Sequence, residues 1–248
     1  MSGHSKWATI KRKKGATDAK RGKVFTTLIK EIQLASRDGG GDENSNPRLR
    51  TAIMSAKAVN MPHENIKRAI LRGTGELPGV SIEEVTYEGY GPGGVAILVE
   101  CMTDNKQRTV SEVRHLFSKY NGSLAENGAV SWMFQERGVI VVNKDVIDED
   151  KLMEYVLESN AEDMSPEDGT FEVYTSPKEL PEVQKYFEKK EVKYESAEVA
   201  MVPQNTVKVE GKDVQTLMKL LNALDESDDV QKVWANFDID EQELEQYK

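Results

Sequence analysis

The sequence predicts an α+β protein: an N-terminal three-helix domain followed by two small ferredoxin-like α/β domains, the third inserted in the second. Three observations lead there. Apolar residues recur at helical spacing up to about residue 72, and beyond a Gly/Pro-containing linker at 73–79 the period changes from 3.6 to 2. Strand-like and helix-like segments then alternate towards the C-terminus. At 248 residues, 38% hydrophobic and 31% charged, the chain has room for two or three domains and enough apolar residues to exclude wholesale disorder.

Residues 1–17 are polar, basic and without periodicity, and read as an arm. Asp18 is a candidate cap for a helix to about Arg37, with Phe25, Leu28, Ile29 and Ile32 on its apolar face. Gly39, Gly40 and Gly41 stop it. Asn46 and Pro47 open a second helix as N-cap and N1, with Leu49, Ile53 and Ala56 inward. Met61-Pro62 opens a third, carrying Ile66, Ala69 and Ile70 and ended by Gly73.

Beyond the linker, Val85 and Tyr87 alternate, YGPGG makes a hairpin turn, and Val95, Ile97, Val99 and Cys101 share one face of a strand. Val113, Leu116, Phe117 and Tyr120 mark a helix, and Val130, Trp132 and Phe134 a strand. A second run starts at Gly138: a strand at 139–142, a helix with Leu152 and Val156, and a strand at 171–175. Ser176, Pro177 and Glu179 form a capping box for a helix with Leu180, Val183 and Phe187. Strands near 192–202 and 206–210, a helix with Val214, Leu217, Met218 and Leu221, and a strand at 230–237 complete the chain. The divisions are a basic arm over 1–20, a helical domain over 21–77, a discontinuous α/β domain over 80–136 plus 204–240, and an inserted α/β domain over 138–203.

The formal net charge of −10 hides an asymmetry. Residues 1–75 carry 16 Lys+Arg against 6 Asp+Glu, whereas residues 76–248 carry 17 against 37. One reading is two solvated surfaces; the other is a basic end that meets a polyanion and an acidic body that does not. The single cysteine, Cys101, excludes an intrachain disulfide and a thiolate metal cluster. No signal-like or membrane-length apolar run is present, so a cytoplasmic location without membrane contact is expected.

No catalytic constellation emerges. His4, His63 and His115 are far apart, HENIK lacks the second histidine of a zinc-protease helix, and neither a nucleophile elbow nor a phosphate loop occurs. Gly91, Gly93 and Gly94 lead into a strand rather than a helix, which a dinucleotide site does not tolerate. The expectation is a non-enzymatic protein with no cofactor, metal or small-molecule substrate. Without coiled-coil heptads it is read as a monomer.

The informative stretch is Lys6, Lys11, Arg12, Lys13, Lys14, Lys20, Arg21 and Lys23, opposed only by Asp18. Such density suits backbone recognition, in which each cation neutralises a phosphate and releases counterions. Trp7 lies among them and either stacks on an unpaired base, for about 1–3 kcal/mol, or anchors the arm against the protein itself. Lys30, Arg37, Arg48, Arg50, Lys57, Lys67, Arg68 and Arg72 continue the basic theme on the helices, with Arg48, Arg50, Lys67 and Arg68 taken as binding candidates. Arg48 and Arg50 sit at a helix N-terminus, where the dipole disfavours cations and so hints at an outside anion. No helix-turn-helix, zinc finger, RNP or KH signature offers sequence readout.

The segments GHSKWATIK, DAKRGKVFTTLIKEI, NPRLRTAI, NMPHENIKRAI, YEGYGPGGVA and TDNKQRTVSEVRH resemble the YebC/PmpR family, densely from residue 2 to about 117. The resemblance implies three domains, the third inserted in the second. It also implies a role in gene expression. Many bacterial members are described as DNA-binding transcriptional regulators, the mitochondrial relative is a translational activator of cytochrome c oxidase subunit I, and bacterial members are linked to ribosomes. The expected partner is nucleic acid. Ribosomal RNA is favoured, because no sequence-reading module is visible and the acidic body confines binding to one end; DNA is the alternative.

Overall fold

The computed structural model describes residues 18–167, 169–240 and 243. Helix α1 (Asp18–Gly39) ends where Gly40 turns to φ +83° and returns its N–H to Ser36 O at 2.9 Å. Asn46 then does two jobs. Its Oδ1 caps α2 (Pro47–Ala58) by accepting from Leu49 N at 3.0 Å, and its Nδ2 donates to Ala35 O and Gly40 O, tying α2 to the end of α1. Helix α3 (His63–Gly73) packs on α1 so closely that a Cβ at Gly73 would lie 2.3 Å from Gln33 O. Ile32, Leu49, Ile53, Ala56, Ile66 and Ala69 form the shared core.

Strands β1 (Glu83–Tyr90) and β2 (Ala96–Thr103) make the expected hairpin, its turn requiring Gly93 and Gly94 at φ +73° and +79°. Helix α4 (Lys106–Lys119) leads to β3 (Ser123–Leu124). After a long excursion the chain returns through α7 (Lys212–Glu226) and β9 (Val230–Ala235), giving the sheet order β3-β1-β2-β9. Val95, Ile97, Val99 and Cys101 pack with Val113 and Phe117 of α4 and Leu217 and Leu221 of α7. A two-stranded parallel pair, β8 (Val207–Lys208) with β10 (Phe237–Asp238), closes the region.

The excursion is β4 (Phe134–Asn143), α5 (Glu149–Glu158), β5 (Asp163–Pro166), β6 (Thr170–Thr175), α6 (Leu180–Lys189) and β7 (Ser196–Pro203). Its sheet order, β5-β6-β4-β7, is that of a ferredoxin-like βαββαβ layer. Leu152, Val156, Val183 and Phe187 from the helices cover Ile140, Val142, Phe171 and Val173. The first sheet has the same style, four antiparallel strands under two helices, but reaches it by a different connection. Residues 132–206 form one compact unit, and 18–131 with 207–240 the other.

Two local expectations are corrected. Residues 130–134 are not a strand of the first sheet. The buried Glu88 carboxylate accepts the N–H groups of Gly128, Val130 and Ser131 at 2.7–2.8 Å, which folds the segment as a turn followed by a short 3-10 helix at Ser131–Met133, and β4 starts at Phe134 and runs through Gly138 without a break. Gly138 is there for packing: a Cβ would lie 2.2 Å from Thr175 Oγ1. The capping box at Ser176 is only half formed. Ser176 Oγ accepts from Glu179 N at 3.4 Å, but α6 begins at Leu180. A helix starting at Pro177 would put Pro181, which has no N–H, where an i→i−4 bond is due; starting at Leu180 puts it in the first turn.

Candidate nucleic-acid interface

Helix α1 carries Lys23, Lys30 and Arg37 seven residues apart, so all three project on one stripe. That stripe seats α1 on the end of the first sheet. Lys23 Nζ donates to the carbonyls of Asp225 and Ser227 at the C-terminus of α7, where a cation also meets the negative end of the helix dipole. Lys30 Nζ donates to Met102 O at 3.0 Å, Asp228 O at 2.8 Å and Asp229 Oδ1 at 2.7 Å. Arg37 reaches Ile82 O. Between them Leu34 packs on Ile82 and Met102.

Asp229 is the hub of this seam. Its second oxygen accepts from Arg108 at 2.8 Å, Thr109 at 2.8 Å and Thr103 at 3.1 Å. Burial alone would raise its pKa; the hydrogen bonds from Arg108, Lys30 and Thr109 outweigh burial and hold the carboxyl well below the usual aspartate range. Cys101, buried beneath, has its thiol pushed up to about 12 by burial and by the Asp229 charge, which leaves it a packing residue rather than a nucleophile.

The site residues expected from sequence fall into three groups. Lys6, Trp7, Lys11, Arg12, Lys13 and Lys14 lie outside the described residues, as do the side chains of Lys20 and Arg21 and the expected cap by Asp18. Lys23 and Arg48 are engaged by the protein. Arg48 grips Glu31 with Nε and Nη2 at 2.7 and 3.1 Å and also pairs with Glu84, so the anion hinted at by its place in the first turn of α2 is supplied within the fold. The Glu31 hydrogen bond, opposed by partial burial and joined by Glu84, raises the guanidinium pKa above its ordinary value.

Arg50, Lys67 and Arg68 face outward. Arg50 donates to the carbonyls of Glu43 and Asn44, which fix its head beside the loop but leave its charge uncompensated. Lys57 and Arg72, part of the same basic run in the sequence, belong with them. All five are exposed and none pairs with a carboxylate among the described residues. Residues 47–73 carry six Lys+Arg against the single acid Glu64. On α2 the exposed Met54 sits between Arg50 and Lys57 at helical i, i+4, i+7 spacing, an apolar contact flanked by cations. Spacing alone contains this pattern; what it lacks is which of several charged stripes faces water. No trio of His, Cys, Asp or Glu side chains among the described residues is placed to hold a metal.

Fold and surface together define a multidomain α+β protein with a basic helical domain joined to acidic layers. Residues 5–76 match the TACO1/YebC protein N-terminal domain and residues 82–237 the TACO1/YebC second and third domain. The chain belongs to the TACO1/YebC family. It is 58% identical to a "probable transcriptional regulatory protein" of Geobacter sulfurreducens, with 99% of each chain covered. It is 57% identical to a protein of the same description from Syntrophobacter fumaroxidans, again over 99% of each. It also resembles the crystal structure of a conserved hypothetical protein from Aquifex aeolicus, at TM-score 0.80 and 50% identity, covering 90% of this chain and 93% of that one. No helix among the described residues is long and apolar enough to cross a membrane.

Proposed function

We propose that this protein is a nucleic-acid-binding regulator of gene expression, acting as a cytoplasmic, non-enzymatic monomer, and that its polyanion is ribosomal RNA. The observation that carries the reading is the outward set Arg50, Lys57, Lys67, Arg68 and Arg72, without carboxylate partners among the described residues, in the same basic N-terminal third as the cations of residues 6–21. These residues supply phosphate neutralisation, and Met54 and Trp7 supply apolar contact to sugars or unpaired bases. The acidic remainder, 17 Lys+Arg against 37 Asp+Glu, is repelled by RNA and orients the molecule. The test is cosedimentation with ribosomes from lysate. Deleting residues 1–17, which leaves Lys23 and its cap on α7 in place, is expected to weaken it, and replacing Arg50, Lys57, Lys67, Arg68 and Arg72 by Ala as well to abolish it. Wild-type protein that stays wholly in the supernatant at low salt sinks the ribosomal reading.

A second reading, a DNA-binding transcriptional regulator, is favoured by the descriptions of the relatives and uses the same surface. It requires a particular duplex to be preferred over scrambled sequence by about a thousandfold or more at physiological salt. Equal binding to both, with displacement by RNA, rules it out.

A further inference from the structure

Helix α4 stands out from its surroundings. Over 76–248 acids outnumber bases by 37 to 17, yet α4 has Lys106, Arg108, Arg114 and Lys119 against Glu112 alone. Packing accounts for part of it. Thr109, Val113 and Phe117 face the sheet, Asn105 caps the helix by accepting from Arg108 N at 3.1 Å, Arg108 is held by Asp104 and Asp229, and Lys106 pairs with Glu83 at 2.6 Å. The other face is engaged only locally: Ser111 Oγ donates to Gln107 O at 2.8 Å and Lys119 Nζ lies 5.3 Å from the Tyr120 ring centroid. Gln107, Ser111, Arg114, His115, Ser118 and Lys119 are exposed, and neither Arg114 nor Lys119 pairs with a carboxylate among the described residues. At 100° per residue these six fall within less than half the helix circumference, a polar strip about 20 Å long that carries two cations and has the exposed Glu112 at its margin beside Lys119.

We infer that this outward face of α4 is a second RNA-contacting surface, carried on the α/β layer rather than on the basic helical domain. Its chemistry suits a sugar-phosphate backbone: Arg114 and Lys119 are phosphate partners, and the hydroxyl, amide and imidazole groups along the same strip can bond phosphate oxygens and 2′-hydroxyls. A protein partner would instead need an apolar anchor at the centre of the patch, and none of the exposed large apolar side chains among the described residues lies on α4. Through the shared Asp229 the start of α4 is coupled to α1, so one RNA can engage the helical domain and α4 together.

The inference rests on the nucleic-acid reading above, and the experiment separates the two. Full-length wild type and the R114A/K119A double variant are titrated with a fluorescein-labelled RNA hairpin at several salt concentrations between about 50 and 200 mM. Both substitutions are on exposed side chains, so thermal melts should coincide. Each lost phosphate contact removes about 0.7–0.9 from the slope of log K against log salt, so the double variant's slope should be shallower by about 1.5, with weaker binding. Wild type that fails to bind the hairpin overturns the RNA reading itself. Wild-type binding with an unchanged slope in the variant overturns the α4 surface alone. A variant that loses affinity for polyglutamate while keeping the RNA slope assigns the face to an acidic protein partner, and also overturns it.

Discussion

Lys30 and Asp229 are 199 residues apart in the chain and 2.7 Å apart in space, and their ion pair holds the first described helix against the turn that leads into β9 of the first sheet. Both side chains are largely shielded from water, so the pair is neither screened like a surface bridge nor cheap to break from one side.

Asp229→Asn is therefore expected to destabilise the protein by about 2–4 kcal/mol, because it leaves the Lys30 ammonium without its counterion. The folded carboxyl lies below its ordinary value, so its stabilising contribution is present above the unfolded pKa of about 3.9 and is lost as pH falls through the folded one. Urea unfolding at a series of pH values should show wild type losing stability below about pH 4, with a flatter acid limb in the variant. Parallel limbs would contradict the role given to Asp229.

Gly73 closes the crossing of α3 over α1. Ala is the better helix former, and on an open surface the change would stabilise. Here the added Cβ meets Gln33 O at 2.3 Å and Ser36 Cβ at 2.7 Å, so Gly73→Ala is expected to cost about 1–3 kcal/mol through forced separation of the helices. A melting temperature equal to or above wild type would show that the crossing is looser than described.

Arg48 and the Lys67–Arg68 pair look alike in sequence and should separate in binding. Arg48 is occupied by Glu31 and Glu84, so Arg48→Ala should leave the salt dependence of RNA binding unchanged while lowering thermal stability. Lys67→Ala/Arg68→Ala should do the reverse, reducing the salt slope by about 1.5 with little change in melting. Equal slopes for the two variants would count against the proposed surface.

Much of the fold was legible because each element carries its own punctuation. Asn46-Pro47 and Gly39-Gly40 bound helices by local chemistry, and the alternation of Val95, Ile97, Val99 and Cys101 places them on one face whatever they pack against. Local signals mislead where they are overruled from a distance. Gly138 reads as a boundary but is a strand residue whose missing Cβ makes room for Thr175, and the segment before Phe134 is bent by Glu88, about 40 residues away in the chain.

The basic N-terminal end was determined by sequence alone: the count of cations, their sign against an acidic remainder, and the helices that carry them follow from residue identity and spacing. Which cations are free to meet a polyanion was decided only in three dimensions. Lys23, Lys30 and Arg37 share a stripe by their sevenfold spacing, but that stripe faces the α7 C-terminus and Asp229, and Arg48 faces Glu31 and Glu84. Arg50, Lys57, Lys67, Arg68 and Arg72 remain turned to water. A charge's availability depends on what is folded next to it, and carbonyls and carboxylates brought from distant parts of the chain leave no mark in the local sequence.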